Sequence, residues 1–300
     1  MHFIDSQLIP LEVLSKSYNP YLVILSVTIA IISSFTAFGF SERINASSSL
    51  LQQTLWTMFG ATTMGIGIWA MHFIGSLALQ LPIPISYNIT ITLVSVIPAI
   101  LASSVVLWII NQSSFGITKL LLCGILLGAG IGTMHYTGMA AMELNADMAY
   151  KKSVFILSII VAVVLATISL KVKYAASQQS EEKHQFINQK QSLSALIMGI
   201  AVSGMHYTAM QAVIFIPAKN TDKLASAVDA TAFSGIIALV VLLVLIVALI
   251  VPHMLRFREM ADILQKNEED LKIAAISFQT HEAIMVTNKD AEIIRVNEAF

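Results

Sequence analysis

Long apolar runs alternate with short polar stretches along most of this chain. Crossing the hydrocarbon core of a bilayer, roughly 30 Å thick, takes about 20 apolar residues in an α-helix. Seven runs of about that length lie at residues 20–40, 56–81, 87–110, 120–144, 154–170, 193–216 and 232–251. They predict an all-α membrane protein, a seven-transmembrane helix bundle over residues 20–252 that follows an extracytoplasmic segment, 1–19. The first run has no basic leader, so no cleaved signal peptide is expected.

The pattern changes after the seventh run. Residues 253–275 mix many charged residues with spaced apolar ones and predict a cytoplasmic linker helix, which either pairs with a second copy as a coiled coil or is a plain linker. Residues 276–300 hold two short strand-like runs around the turn signal Asn288-Lys289-Asp290. So short a piece cannot form a core, so we expect a domain that continues beyond it.

Composition supports a bilayer as the solvent, since 56% of the residues are hydrophobic and 12% are charged. The net charge of −1 and the lack of a basic patch argue against a nucleic-acid partner. The single cysteine, Cys123, rules out an intrachain disulfide and argues against a thiolate metal site, so we expect a small buried apolar residue.

Lysine and arginine in the loops predict the orientation, because cytoplasmic loops carry more of them. Eight on one side against five on the other favour an extracytoplasmic N-terminus and a cytoplasmic C-terminus. The eight are Arg43, Lys119, Lys171, Lys173, Lys183, Lys190, Arg256 and Arg258, and the five are Lys16, Lys151, Lys152, Lys219 and Lys223.

A threefold repeat organises the apolar runs. The segments 65–73, 128–136 and 199–207 align without gaps, and each contains a Met-His pair. The histidines are 63 and 71 residues apart, which leaves room for two membrane helices per repeat and predicts three helical hairpins plus one helix.

All three motif helices cross in the same direction. Each run ends nine or ten residues after its histidine, which predicts one layer about 13 to 15 Å below the outer boundary. Upstream glycines favour close helix approach.

The Met-His pairs are candidate metal ligands. A histidine in hydrocarbon is costly to charge, so we expect neutral imidazole with a free lone pair. Imidazole with thioether suits copper, especially Cu(I). Residues four apart share a helix face, which favours His135 with Met139 and His206 with Met210, whereas Ser76 follows His72 and weakens the first copy. We expect one shared site with unequal contributions, and helix packing is the alternative. The candidate ligands are Met71, His72, Met134, His135, Met139, Met205, His206 and Met210.

These motifs resemble a known family. Met134-His-Tyr-Thr137 and Met205-His-Tyr-Thr208, with the weaker Met71-His-Phe-Ile74, are similar to the signature of the MHYT domain, a bacterial membrane sensor module. The resemblance covers roughly residues 20–252. It implies seven spans in the bacterial inner membrane and a copper site near the outer face, held by the candidate ligands named above. The implied signal is a diatomic gas, O2, CO or NO.

The C-terminal residues 276–300 resemble the start of an α/β PAS domain. Cyclic di-GMP synthase or hydrolase domains (GGDEF and EAL) often follow in this family, so the resemblance implies such an output beyond this segment and a homodimer formed through the linker and PAS domain. No catalytic constellation is visible, so the segment itself is not expected to be an enzyme.

Two other functions are compatible with the sequence. A transporter of metal or small solutes is one, although the interiors of the runs lack the charged residues that ion-coupled transport commonly uses. A haem-binding redox protein is the other, because two of the histidines would supply axial ligands.

Overall fold

The computed structural model describes residues 2–4, 12–112, 116–177, 184–217, 228–278, 282–289, 292–297 and 299–300. Helices dominate these ranges. They are α1 (Pro20–Ala46), α2 (Leu50–Ala78), α3 (Ile89–Val94), α4 (Val96–Ile110), α5 (Ile117–Ala140), α6 (Lys152–Ser177), α7 (His184–Ala212) and α8 (Ala230–Phe278).

Six apolar segments of the described chain are long enough to cross a membrane, and they confirm the first six predicted spans. They are Pro20–Asn45, Leu50–Ala78, Ile89–Ile110, Ile117–Ala140, Lys152–Ala175 and Gln189–Ala212. The third of them comprises α3 and α4 together. The seventh predicted run lies in α8, where the described apolar part, Ala232–Leu243, is shorter than a crossing requires. The seventh span therefore stays a prediction.

The six spans form three inner and three outer helices. Helices α2, α5 and α7 contact one another, while α1 packs on α7 and α2, α4 on α2 and α5, and α6 on α5 and α7. Buried residues make up 83%, 50% and 61% of the apolar windows of α2, α5 and α7, against 44%, 39% and 28% for their outer partners. The predicted repeat of two-helix hairpins thus arranges the three motif helices at the centre.

The outer helices present large apolar side chains away from the bundle. Ile24 on α1, Leu101 on α4, and Ile160 and Val164 on α6 are each about half exposed or more. Water would make so large an apolar surface unfavourable, whereas acyl chains solvate it. The described spans thus form a multi-pass bundle for a lipid environment, as the apolar runs predicted.

Glycines set the distance between inner and outer helices. Gly65, Gly128 and Gly199 each lie seven residues before a motif histidine, and each faces the backbone of an outer helix. A Cβ added at Gly128 would lie 2.6 Å from Cγ2 and 2.9 Å from Cα of Val163 on α6. Without a hydrophobic drive between helices in lipid, such close backbone contact is what holds them together.

Short strands cap the bundle at the end nearest the histidines. The strands are β1 (His2–Ile4), β2 (Ser17–Tyr18), β3 (Leu79–Gln80), β4 (Ile85–Tyr87), β5 (Met142–Leu144), β6 (Ala146–Lys151), β7 (Val213–Pro217) and β8 (Val228–Asp229). They form sheets of order β1-β6-β7, β2-β3 and β5-β4-β8. In the first sheet, β6 pairs parallel with β1 and antiparallel with β7, and in the second sheet β2 pairs antiparallel with β3.

This cap corrects the all-α prediction and three predicted span ends. The runs 56–81, 120–144 and 193–216 continue past the helices into β3, β5 and β7, because a short apolar run does not distinguish a strand from a helix. The helices end five or six residues after each histidine. At 1.5 Å per residue the histidines lie about 8 to 9 Å from the helix ends, and their depth below the membrane boundary stays a prediction.

A charged pair with a buried lysine lies at the opposite end of the bundle. Lys173, predicted to be in a loop, belongs to α6, and its Nζ lies 3.1 Å from Oε1 of Glu42 on α1. The side chain of Lys173 is 3% exposed and that of Glu42 is 49% exposed. The pair joins two outer helices. The only cysteine, Cys123, is buried and free, as predicted.

Orientation and domain limits remain predictions. Of the loop lysines used for the orientation, Lys183, Lys219 and Lys223 lie outside the described residues. The chain divides into two compact units, Met1–Ala248 and Leu249–Phe300, and the first holds the six spans and the strand cap.

The second unit contains the predicted linker helix and hairpin. Residues 253–275 are helical, as predicted, but they continue α8 rather than forming a separate helix. The two strand-like runs are β9 (Met285–Thr287) and β10 (Ile293–Val296), which pair antiparallel. Asn288 closes the turn, since its Oδ1 accepts from the backbone N–H of Glu292 at 2.9 Å, while Asp290 lies outside the described residues. A PAS domain beyond this hairpin stays a prediction.

We expect Gly128→Ala to destabilise the bundle, because the new Cβ meets the backbone of Val163. Overpacking of this kind costs about 1–3 kcal/mol. Thermal unfolding in detergent would show a lower Tm. The matched control is Gly204→Ala, whose Cβ would make an ordinary contact of 3.5 Å with Val161 and which should retain the parental Tm. Equal Tm values for the two variants would contradict close packing at Gly128.

Candidate functional site

The three motif histidines converge at one point in the centre of the bundle. Their Nδ1 atoms form a triangle with edges of 3.0 Å (His135 to His72), 3.2 Å (His72 to His206) and 3.2 Å (His206 to His135). Each residue is 1% exposed. The three rings stand at 79 to 83° to one another, with centroids 4.8 to 5.1 Å apart. One histidine comes from each inner helix, so the site exists only when all three repeats pack together.

Hydrogen bonds among the three rings cannot satisfy this triangle. A neutral imidazole nitrogen is either a donor or an acceptor, according to its tautomer. Among three nitrogens in mutual contact, at least two therefore have the same role, and at least one edge brings two lone pairs or two N–H groups together. A cation at the centre would accept all three lone pairs at once. This donor set is one that a metal ion fits.

The size of the triangle agrees with this. Its mean edge of about 3.1 Å, divided by √3, puts the centre about 1.8 Å from each Nδ1. Imidazole–metal bonds are about 2.0–2.1 Å long, so these three nitrogens are spaced closely enough that they would hold one metal ion together. A search of the described residues for three or more His, Cys, Asp or Glu side chains close enough to share an ion finds these three histidines.

The five candidate methionines are also in the inner helices. Met71, Met134 and Met205 immediately precede the histidines, and Met139 and Met210 lie one turn further along α5 and α7. All five are at most 1% exposed. Each copy thus buries a methionine that is next to its histidine in the chain, but the convergence seen in the structure is that of the imidazoles.

The three copies are more alike than the sequence suggested. His72, predicted to be the weaker ligand, has its Nδ1 as close to the other two as they are to each other. One difference between the copies lies four residues after the histidine. There Ser76 donates its hydroxyl to the backbone carbonyl of His72 at 2.9 Å, whereas the other copies have buried Met139 and Met210.

Two glycines make room for the imidazoles, and neither was among the predicted site residues. A Cβ at Gly138 on α5 would collide with Nε2 of His72, and one at Gly75 on α2 would lie 2.5 Å from Nε2 of His206. Both glycines follow the histidine of their own helix by three residues, and Ala209 occupies that place on α7. The signal was present in the sequence as a small residue at the same place in all three repeats.

The residue after each histidine points to an outer helix in two repeats. The hydroxyl of Tyr136 lies 2.9 Å from Oγ of Ser158 on α6, and that of Tyr207 lies 2.8 Å from Oγ of Ser26 on α1. Both tyrosines therefore join their own repeat to an outer helix by a hydrogen bond. In the first repeat Phe73 packs instead against Tyr87 and Phe233.

The segment before α1 closes the C-terminal end of α7. Nζ of Lys16 donates to the backbone carbonyls of Met210 at 2.6 Å and Val213 at 3.2 Å, where a helix C-terminus leaves carbonyls unpaired. Burial, with the nearby charge of Lys151, lowers the pKa of the Lys16 amine from its ordinary value. The backbone N–H of Asn19 donates to the carbonyl of Ala78, so the same segment also caps α2.

The cap leaves a cavity of about 470 Å³ over the end of α5. Tyr136 lines it from the bundle side, and Met142, Asp147 and Tyr150 line it from the strands. Because Tyr136 is the neighbour of His135 in the chain, this cavity reaches to within one side chain of the histidine cluster.

The comparisons with known proteins agree with the repeat. Residues 65–123 and 128–186 match the MHYT family model, described as a bacterial signalling protein N terminal repeat. The chain is 35% identical over 238 residues to the bifunctional diguanylate cyclase/cyclic di-GMP phosphodiesterase MucR of Pseudomonas aeruginosa, which is 79% of this chain and 34% of that protein.

Two further relatives cover a similar share. The cyclic di-GMP phosphodiesterase NbdA of Pseudomonas aeruginosa is 34% identical over 215 residues, 71% of this chain and 27% of that protein. The signaling protein YkoW of Bacillus subtilis is 27% identical over 284 residues, 94% of this chain and 35% of that protein. The chain spans about a third of the length of these relatives. No solved structure is significantly similar to it. The matched segment is a sensory region rather than an enzyme.

We expect Gly138→Ala to disrupt the histidine triangle, because its Cβ would occupy the place of the His72 imidazole. Copper bound per purified chain, measured by atomic absorption, should fall at least about tenfold if the displaced ring is a ligand. Gly204→Ala serves as the control, since its Cβ meets no histidine and copper should stay at the parental level. If Gly138→Ala were folded and bound as much copper as the parent, the triangle would not be the site.

Proposed function

Since residues 65–123 and 128–186 of this multi-pass membrane protein are MHYT repeats, we propose that the chain is the sensory segment of a signalling protein of the bacterial inner membrane. Its input is a diatomic gas or a redox signal at a copper ion. Its output is a cytoplasmic domain that makes or degrades cyclic di-GMP.

The observation that carries the copper proposal is the convergence of three Nδ1 atoms within 3.2 Å of one another in a bundle made for lipid. His72, His135 and His206 are the proposed nitrogen ligands. Buried thioethers of Met71, Met134, Met139, Met205 and Met210 form the proposed remainder of the coordination sphere. Soft sulfur together with imidazole favours Cu(I) over hard cations such as Mg²⁺ or Ca²⁺.

The surroundings suit a small uncharged signal. The cluster is fully enclosed by apolar side chains, and charged ligands pay a large desolvation penalty in such a place. A bound copper ion would supply affinity for O2, CO or NO. The residues of the chain hold three lone pairs in place, exclude water and leave the capped cavity beside Tyr136 as a route from the outer surface.

The proposed output comes from the relatives. Two of them are named as cyclic di-GMP enzymes, and their matched part is about a third of their length. We therefore place the corresponding activity in a domain beyond this segment. Helix α8 and the hairpin of β9 and β10, the proposed start of a PAS domain, lead toward it. A homodimer through these elements is part of the proposal, with the C-terminus in the cytoplasm.

The alternatives are less compatible with the same geometry. A haem between two histidines needs space for the macrocycle between their nitrogens, and here the nitrogens are 3.0 to 3.2 Å apart. A metal transporter needs a path through the bundle. The Lys173–Glu42 pair ties two outer helices together at the far end, which argues for a closed bundle.

The proposal predicts equal effects of the three histidine substitutions. His72→Ala, His135→Ala and His206→Ala should each lower the copper affinity of the detergent-purified chain at least about tenfold, since each removes one of three equivalent ligands. Titration with Cu(I) against a competing chelator measures this. The control is Met198→Leu, a fully buried methionine of α7 outside the ligand set, which should bind like the parent.

Three results would contradict the proposal. A parent chain that binds no copper would leave the histidines as a packing feature, and copper that survives all three substitutions would place the metal elsewhere. A Soret band in the absorption spectrum of the parent would show that the chain binds haem instead of copper.

A further inference from the structure

The first repeat departs from the other two where it meets the last helix. In the second and third repeats a tyrosine follows the histidine and bonds to a serine of an outer helix, Ser158 or Ser26. The matching serine of the first repeat is Ser95, whose hydroxyl donates to the carbonyl of Thr92. Phe73 follows His72 and has no hydroxyl to bind it, so this ring is not tied to an outer helix by a hydrogen bond.

Phe73 instead joins a stack of three buried rings. Its centroid lies 5.4 Å from that of Phe233 on α8 and 6.0 Å from that of Tyr87 on β4, both edge to face. Tyr87 and Phe233 are stacked at 4.2 Å with 17° between their planes. All three side chains are at most 1% exposed. The imidazole of His72 packs on the other side of Phe73, at 4.6 Å.

The backbone holds the same elements together. Tyr87 pairs with Val228, and Ser86 with Asp229, in the antiparallel ladder of β4 and β8. Strand β8 runs directly into α8 at Ala230. The start of α8 is thus fixed to the first repeat by a two-residue ladder and by the ring of Phe233.

From this arrangement we propose that Phe73, Tyr87 and Phe233 couple the histidine cluster to α8. The proposal rests on the proposed function, since it describes how occupancy of that site reaches the output. A metal ion bound by the three Nδ1 atoms would hold the His72 ring in one position and would remove the repulsion between their lone pairs. A ring packed edge to face against it then shifts, because a close-packed interior does not let one side chain move alone. Phe233 carries that shift into α8.

The difference between the repeats explains why the first repeat alone connects the histidine cluster to α8. Tyr136 and Tyr207 hold their copies to the outer helices, so those two histidines form a fixed frame. His72 is the member whose neighbour contacts a helix outside the six spans. Phe233 contacts Phe73 and not a histidine of the cluster. It is therefore a positioning residue that lies outside the proposed metal site.

The experiment follows α8 while copper is added. A nitroxide label is placed on Ala261→Cys, an exposed position of α8, in a Cys123→Ala background that removes the only native cysteine. Spectra of the purified chain are compared without metal and with Cu(I), which is diamagnetic. We expect Cu(I) to change the label spectrum in this background, and Phe233→Ala to reduce the change at least fivefold with copper content unchanged.

The control is Ile237→Ala, which truncates another buried side chain of α8, one turn further on. It should keep the copper-induced change, because Ile237 is not part of the ring stack. An equal loss in Ile237→Ala would overturn the proposal and assign the effect to general docking of α8. A full response in Phe233→Ala would overturn it directly.

A second measurement separates this proposal from the copper site. If the parent binds no copper, the proposed function fails, and coupling is then read from thermal unfolding of the metal-free chain. The Tm shifts of His72→Ala and Phe233→Ala should be non-additive in the double variant, whereas those of His72→Ala and Ile237→Ala should add. Additive shifts for both pairs would overturn the coupling, whatever the metal result.

Discussion

Three imidazole nitrogens within 3.2 Å of one another, enclosed in a lipid-solvated bundle, are the constraint on which the architecture depends. Such a cluster forms only if three helices approach closely at one level. Glycines, which have no side chain, allow this approach. Gly75 and Gly138 lie beside the rings, and Gly65, Gly128 and Gly199 lie against the outer helices. In a bilayer, where apolar burial between helices gains little, this backbone contact and the polar cluster replace the drive that a soluble core would have.

The cap of strands and the segment before α1 complete the enclosure. A helix that ends five or six residues past a buried histidine leaves its last carbonyls close to the site. Lys16, Asn19 and the ladders of β3, β5 and β7 satisfy backbone groups at that end. The cluster therefore lies under a hydrogen-bonded layer at the strand-capped end of the bundle, which is the outer end in the predicted orientation, and the cavity beside Tyr136 is the space that this layer leaves open.

Departures from threefold symmetry are as informative as the symmetry. Equivalent histidines make one site, but identical repeats would give no direction to a signal. The first repeat supplies that direction, since Phe73 replaces tyrosine and contacts Phe233 where the other copies bond to an outer helix. Ser76 marks the same repeat four residues after its histidine. The first copy thus differs from the other two at residues beside its histidine, while the three histidines themselves are arranged alike.

The sequence by itself determined six membrane spans, the pairing of helices into repeats and the identity of the three histidines. The length of an apolar run and an ungapped internal repeat are properties of the sequence, and both can be recognised without a structure. Only the tertiary structure decided where helices give way to strands, because short apolar runs fit both. It also decided that His72 is an equal member, since spacing along one helix says nothing about how three helices meet. The contact of Phe73 with Phe233 joins residues 160 positions apart, and no periodicity along the chain encodes such a pair.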